Sequence, residues 1–279
     1  MLDRLYRKLS ILEIVYQRNG IMMDLYIEKM VLQKLSSRGS NDICISLVID
    51  GEILRNDRLR GFVKQVRQMK LQVSVTCYNI RNFDFLIEIK DLVGQIRISI
   101  DEDLNYIGIL DYTYDLLKTD RNQIVYLFKI SETEDIEDFI ELLEDNDYIF
   151  NISYKSEISK TKYWEIAKFV SELKNRYPLK IFQEFTCAGV EYDNIKGICP
   201  SLTSLMCVDV RGDIKYCNND FSQRYLHIED GDLDTLFTII GNQVAICEIP
   251  RCNKQAYDCC MGGCPLEQTK EVNKFCKFN

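Results

Sequence analysis

The chain has a single histidine, His227, among its 279 residues, which removes every mechanism that needs two imidazoles. No apolar run reaches the roughly 18–20 residues of a membrane-spanning helix. Basic charge is in deficit: the formal net charge is −8, which argues against a general affinity for nucleic-acid phosphates or anionic membranes. The opening Met-Leu-Asp-Arg-Leu-Tyr-Arg-Lys is not followed by an apolar core or a small-residue cleavage site. No secretory signal is therefore expected, and the expected compartment is a reducing cytoplasm in which thiols persist. Cysteine is missing altogether before Cys44, and only Cys77 joins it before Cys187.

What is present is a crowd of cysteines toward the other end. Ten of the twelve are Cys187, Cys199, Cys207, Cys217, Cys247, Cys252, Cys259, Cys260, Cys264 and Cys276. In a chain with no sign of export, such clustering points to metal rather than to a disulfide framework. Three spacings stand out: Cys199-x12-Gly212-x4-Cys217, Cys247-x4-Cys252, and Cys260-x3-Cys264 with Cys276 downstream. Gly212 permits a hairpin turn, and Gly262-Gly263 lets Cys264 fold back toward Cys260. Iron–sulfur clusters take about four thiolates each. Cys207 sits in an apolar strand and reads as a spectator, which leaves nine cysteines for two sets of four, with adjacent Cys259 and Cys260 competing for one position. A four-cysteine zinc site is the rival occupant.

The first 186 residues alternate strand-like and helix-like segments. Strands are expected at 9–17, 42–49, 71–77, 95–100, 123–130, 148–154 and 179–185. Helices are expected at 23–37, 57–69, 82–91, 103–118, 134–145 and 161–176, with Asp57, Asp103 and Thr161 in N-cap positions. In the second helix Leu59, Phe62, Val63, Val66 and Met69 fall on one face. The acidic stretch 132–147 reads as a helix with a solvated face. Met22 and Met23 read as packing residues, Cys44 and Cys77 as small core residues, and His227 as structural. Strict strand–helix alternation predicts an α/β fold with a parallel sheet and right-handed crossovers, an incomplete curved barrel. After residue 187, glycine and proline break the pattern. Ser204–Cys217 reads as a hairpin turning at Arg211-Gly212-Asp213, and 232–240 as a short helix. The expected domains are 1–186, the barrel-like part, and 187–279, a small cysteine-rich part braced by metal.

On these residues the chain resembles the radical SAM/SPASM peptide-modifying enzymes. Their C-terminal pattern is C-x9–15-G-x4-C, then C-x2-C-x5-C-x3-C, then a last C. Cys199, Gly212 and Cys217 match its first part, Cys260 and Cys264 the C-x3-C, and Cys276 the end; the Cys247–Cys252 and Cys252–Cys260 intervals are each two residues longer. The resemblance implies a partial (β/α)6 barrel followed by a SPASM-like domain carrying one or two auxiliary [4Fe-4S] clusters. It implies Cys199, Cys217 and Cys264, with or without Cys187, as ligands of the first. Cys247, Cys252, Cys260 (or Cys259) and Cys276 would hold the second. Asp50-Gly51-Glu52-Ile53 falls where the family has Gly-Gly-Glu-Pro, which contacts the amino group of S-adenosylmethionine. The family's first strand is followed by C-x3-C-x2-C, whose thiolates leave one iron open to cleave that cofactor. Here the same place holds Arg18-Asn-Gly-Ile-Met-Met-Asp24, without a cysteine. The chain thus resembles the pseudo radical SAM/SPASM proteins, and no S-adenosylmethionine chemistry is expected of it. The resemblance implies a non-catalytic accessory protein of a peptide-maturation system, with an active radical SAM enzyme or the precursor peptide as partner. The clusters would brace the domain or relay electrons. An enzyme using an open auxiliary iron site and a zinc-stabilised binding module are the other readings.

Overall fold

The structure is a computed structural model that describes residues 8–39, 42–53, 55–100, 106–117, 123–130, 148–154, 160–183, 204–217 and 226–242. The chain divides into two compact units. One draws on Met1–Ser99, Ile107–Ile124 and Pro200–Gln243, the other on Ile100–Tyr106, Val125–Cys199 and Val244–Asn279.

Along the chain run β1 (Ile11–Arg18), β2 (Ile21–Met22), α1 (Leu25–Arg38), β3 (Cys44–Asp50), α2 (Asn56–Gln68) and β4 (Gln72–Tyr78). They are followed by α3 (Asp84–Ile89), a 3-10 turn at Lys90–Leu92, β5 (Gln95–Ile100) and α4 (Tyr106–Leu117). Next come β6 (Ile124–Ile130), β7 (Phe150–Tyr154), α5 (Lys160–Arg176) and β8 (Ile181–Gln183). The last elements described are β9 (Leu205–Val208), β10 (Ile214–Lys215), a 3-10 turn at Ile228–Asp230 and α6 (Leu233–Asn242). In the first unit the strand order is β10-β9-β1-β3-β4-β5. All neighbours are parallel except β10 on β9, and β2 pairs antiparallel with β1. In the second unit β6, β7 and β8 are parallel neighbours.

Within the described residues the expected strands and helices are there, with shifted ends. Two expected caps are corrected. Asp57 lies inside the first turn of α2, whose cap position is Arg55, and Thr161 lies within α5. A carboxylate in a first turn still faces the positive end of the helix dipole, so Asp57 retains a favourable place. Asp103 and the expected helix 134–145 lie outside the described residues. Asp24 caps α1, its side chain accepting from the Tyr26 N–H at 2.7 Å, while Gly39 closes the helix in the left-handed region at φ 66°.

The core follows from period two in the strands and period 3.6 in the helices. Val208, Ile14, Leu47, Val75 and Ile96 lie opposite one another across five strands, and all five are buried. Onto the first unit's core pack Ile27, Val31 and Leu35 of α1 and Leu59, Phe62, Val63 and Val66 of α2. Each such side chain contributes about 1.5–3 kcal/mol through burial. One charged group enters this layer. Glu28 of α1 is buried, accepts from the Tyr16 hydroxyl at 3.1 Å and from the Arg58 Nε at 2.8 Å, and so ties β1, α1 and α2 together. Burial pushes the Tyr16 hydroxyl pKa up, and the Glu28 charge beside it adds to the shift.

Candidate functional site

The opposite face of the first unit's sheet mixes polar side chains with a small buried apolar cluster of Val15, Val48 and Cys207. Lys215, Cys207, Glu13, Ser46, Ser74 and Gln95 form one row across six strands. Val15, Val48, Thr76 and Arg97 form the next row toward the strands' C-terminal ends. A parallel sheet buried on both faces commonly reads as continuous apolar runs, whereas here Ser46, Ser74, Thr76 and Lys215 are buried polar residues on this face. The Arg97 Nε donates to Gln95 Oε1 at 2.7 Å, and the Cys44 thiol lies near Arg97 and within hydrogen-bond reach of Ser74. Cys44 is therefore a half-buried member of this face, which corrects its expected place in the core. Cys77 is buried as expected.

The rim above this face is built by two loops that meet. After β1 the chain reverses through Asn19 (φ 49°) and Gly20 (φ 76°), so that Arg18 pairs with Ile21 and Gln17 with Met22. Two successive positive φ values are what an Asn-Gly hairpin turn demands, because its twist matches that of the strands it joins. Gly51, at φ 89°, brings the loop after β3 alongside: a Cβ there would sit 3.7 Å from the Gly20 N. Gln17, fully buried at a β-bulge, donates its Nε2 to the carbonyls of Gly51 (3.1 Å) and Glu52 (2.6 Å). The Glu52 carboxylate accepts from the Arg81 N–H at 2.7 Å, and the Asp50 carboxylate from Asn79 Nδ2 at 2.7 Å. The Gly51 and Glu52 carbonyls and one oxygen of each flanking carboxylate are thus engaged by the protein's own amides. Sequence reading missed Gln17; a glutamine ending an apolar strand just before Asn-Gly was the available signal.

The hairpin of β9 and β10 forms where expected and lies against β1. Gly212 makes its turn, donating its N–H to the Asp209 carbonyl at 3.0 Å, and its φ of 90° is one that side chains resist. His227 is structural: its Nε2 lies 2.9 Å from the Arg211 carbonyl oxygen, and it caps the turn at Ile228–Asp230. Of the expected ligands, Cys217 is described; it is half-buried just past β10. Cys187, Cys199, Cys247, Cys252, Cys259, Cys260, Cys264 and Cys276 lie outside the described residues. Among the described residues no group of three or more His, Cys, Asp or Glu converges as a metal site. Cys207 is fully buried; burial pushes its thiol pKa well up, and the nearby Glu13 and Cys217 push the same way. The thiolate is the reactive form. Native alkylation with iodoacetamide followed by peptide mass spectrometry should therefore leave Cys77 and Cys207 unmodified. Labelling of either before the protein unfolds would contradict this packing.

These features define the class: an α/β protein with a radical-SAM-like fold, parallel strands and helices on the sheet's apolar face. Among solved structures the chain is similar to SuiB of Streptococcus suis. It matches SuiB bound to S-adenosylmethionine with a TM-score of 0.64 at 14% identity, covering 96% of this chain and 76% of SuiB. It matches SuiB bound to its precursor peptide SuiA with a TM-score of 0.65 at 15% identity, covering 97% and 76%. At that identity the likeness is one of fold. No family's sequence profile and no curated protein matches the chain. Among the described residues no helix is long and apolar enough to cross a membrane.

Proposed function

We propose that this chain is a non-catalytic accessory protein of a system that matures a ribosomally made peptide. One observation carries the reading: on a fold shared with SuiB, β1 is followed by a closed Asn19-Gly20 turn rather than by a cysteine-bearing loop. A reductive cluster needs three thiolates at that place. Residues 18–24 offer none, and the two-residue turn leaves no loop in which three could converge. The residues do not fit that group, so no S-adenosylmethionine cleavage is assigned to the chain. The engagement of the Gly51 and Glu52 carbonyls by Gln17 supports the same reading.

For the auxiliary clusters the donor set fits by number and type. Cys199, Cys217 and Cys264, with or without Cys187, would hold one. Cys247, Cys252, Cys260 or Cys259, and Cys276 would hold the other, within a SPASM-like part spanning 187–279. Such clusters supply one-electron transfer or a cross-link that a small segment lacks. The half-buried thiol of Cys217, held beyond a hairpin that the fold fixes, supports its place in this set. The barrel-like part would serve as a binding platform, and the complex of SuiB with SuiA supports a peptide as its occupant. The partner enzyme would supply the radical chemistry.

The test is anaerobic purification with iron, sulfide and zinc quantification, followed by incubation with S-adenosylmethionine and a strong reductant. The expected result is about eight irons and eight sulfides per chain, with no cleavage of S-adenosylmethionine by this chain alone. Zinc without sulfide, or unaided cleavage, would overturn the reading.

A further inference from the structure

We infer that the solvent face of α2 is a docking surface for an acidic polypeptide segment. Between residues 55 and 70 the exposed cations are Arg55, Arg60, Lys64, Arg67 and Lys70, and the exposed carboxylate is Asp57 alone. This is a local reversal of sign in a chain whose net charge is −8. Spacings of four and three residues put Arg60, Lys64 and Arg67 on one exposed stripe, outside the buried face of Leu59, Phe62, Val63 and Val66. Asp57, one turn before Arg60, offsets part of that charge.

The protein's own groups leave the excess standing. Among the described residues none of the five cations pairs with a carboxylate. Arg67 Nη1 donates to the Leu71 carbonyl at 2.9 Å, a neutral acceptor. Arg58, the other cation of α2, is taken by the buried Glu28 and is not counted here. On the neighbouring α1, Lys29 is exposed and Asp24 serves the cap. On the other side, α3 and the turn after it expose Asp84, Glu88 and Asp91, again four and three residues apart. The Tyr112 hydroxyl donates to Asp84 at 3.3 Å, which marks that acidic stripe as the side of α3 toward α4.

Helix stability does not account for the arrangement. Arg55 holds the N-cap position of α2 without a side-chain cap bond. A cation there faces the positive end of the helix, where serine, threonine, aspartate or asparagine would stabilise it. Arg60 with Lys64, and Lys64 with Arg67, are like charges at spacings where they repel. Carboxylates laid along the stripe would relieve both conflicts.

Extent and composition choose the occupant. From Arg60 to Arg67 the stripe runs about 10 Å. A nucleic acid draws its affinity from phosphates contacted over a broad basic surface, and beyond this stripe an acidic chain repels it. A bilayer is entered by apolar side chains, and none of the large exposed ones lies between residues 55 and 70. A few carboxylates on one polypeptide segment match the stripe in sign and length. The surface lies on α2 and is independent of the cluster content proposed above.

The probes are synthetic peptides of one length and increasing glutamate content, titrated onto the full-length protein. Affinity should rise with glutamate content and fall as salt is added. Arg60→Glu and Lys64→Glu should each weaken binding of the most acidic peptide about tenfold or more, with Lys64→Gln falling between Lys64→Glu and the parent. Lys168→Glu makes the same charge change at a side chain 61% exposed in the second unit, and should leave binding nearly unchanged. Four outcomes would overturn the proposal. Acidic peptides could bind no better than neutral ones, or Lys168→Glu could weaken binding as much as Lys64→Glu does. Duplex DNA or phosphatidylserine vesicles could bind through the stripe more tightly than the most acidic peptide. Sedimentation could show a dimer that Lys64→Glu dissociates, which would make the occupant a second copy of the chain.

Discussion

Replacing Arg58 with alanine should lower the stability of the first unit by about 3–5 kcal/mol, one of the largest losses any single substitution here should cause. The guanidinium donates its Nε to Glu28 at 2.8 Å, stacks 5.9 Å from the Tyr16 ring centroid, and bonds the Met23 carbonyl. Without it, the buried Glu28 carboxylate keeps the Tyr16 hydroxyl but loses its countercharge, and a stranded buried charge costs far more than the pair contributed. The discriminating variant is Arg58→Met with Glu28→Leu. Removing both charges should recover most of the loss, because the two desolvation penalties disappear together. Urea unfolding followed by hydrogen exchange in β1 and α1 measures both. An Arg58→Ala protein within 1 kcal/mol of the parent would mean that Glu28 finds water or another donor.

The Arg58–Glu28 pair illustrates what the sequence could not disclose. Element identity was legible because it is local. Leu59, Phe62, Val63 and Val66 repeat at helical spacing, and Gln-Ile-Arg-Ile-Ser-Ile in β5 alternates as a strand with one wet face must. The strand run Cys44-Ile-Ser-Leu-Val-Ile-Asp50 carries the same alternation, yet Cys44 was placed with the core because its neighbours are apolar. Only its register with Gln72 and the nearness of Arg97 assign it to the mixed face. Nothing local in the sequence marks Glu28, whose partners Tyr16 and Arg58 are brought to it by the three-dimensional path of β1 and α2. Gln17 is similar: its two acceptors lie 34 and 35 residues onward, so no window of sequence contains the interaction. The Asn19-Gly20 pair is a local hairpin signal, and the absence of cysteine from 18–24 is equally local. For the cysteine-rich part, spacing indicates how many thiolates are available, but connectivity is a property of the folded loops.

A second large effect is expected at Gly212. Gly212→Val should destabilise the β9–β10 hairpin by about 2–5 kcal/mol, combining strain at positive φ with overpacking. The backbone there has a φ of 90°, and a Cβ would lie 2.5 Å from His227 Nε2 and 2.9 Å from Ile27 Cδ1. Neither neighbour can retreat freely. The His227 ring is held by the Arg211 carbonyl and by the turn it caps, and Ile27 is on the buried face of α1. The Gly212 carbonyl also accepts from the Ile228 N–H at 2.8 Å, so moving the turn loosens the approach to α6 as well. Changing His227 to alanine in the same chain should restore only part of the loss, since it opens space without relieving φ. The consequence for function is separable from stability. If Cys217 is a cluster ligand, displacing the strand that ends at Lys215 should remove one cluster and leave the other, taking the iron content from about eight to about four per chain. Arg211→Ala, next to Gly212, should leave the iron content unchanged, because the turn uses its backbone. A Gly212→Val protein that folds normally yet keeps all its iron would show that the hairpin does not position a ligand.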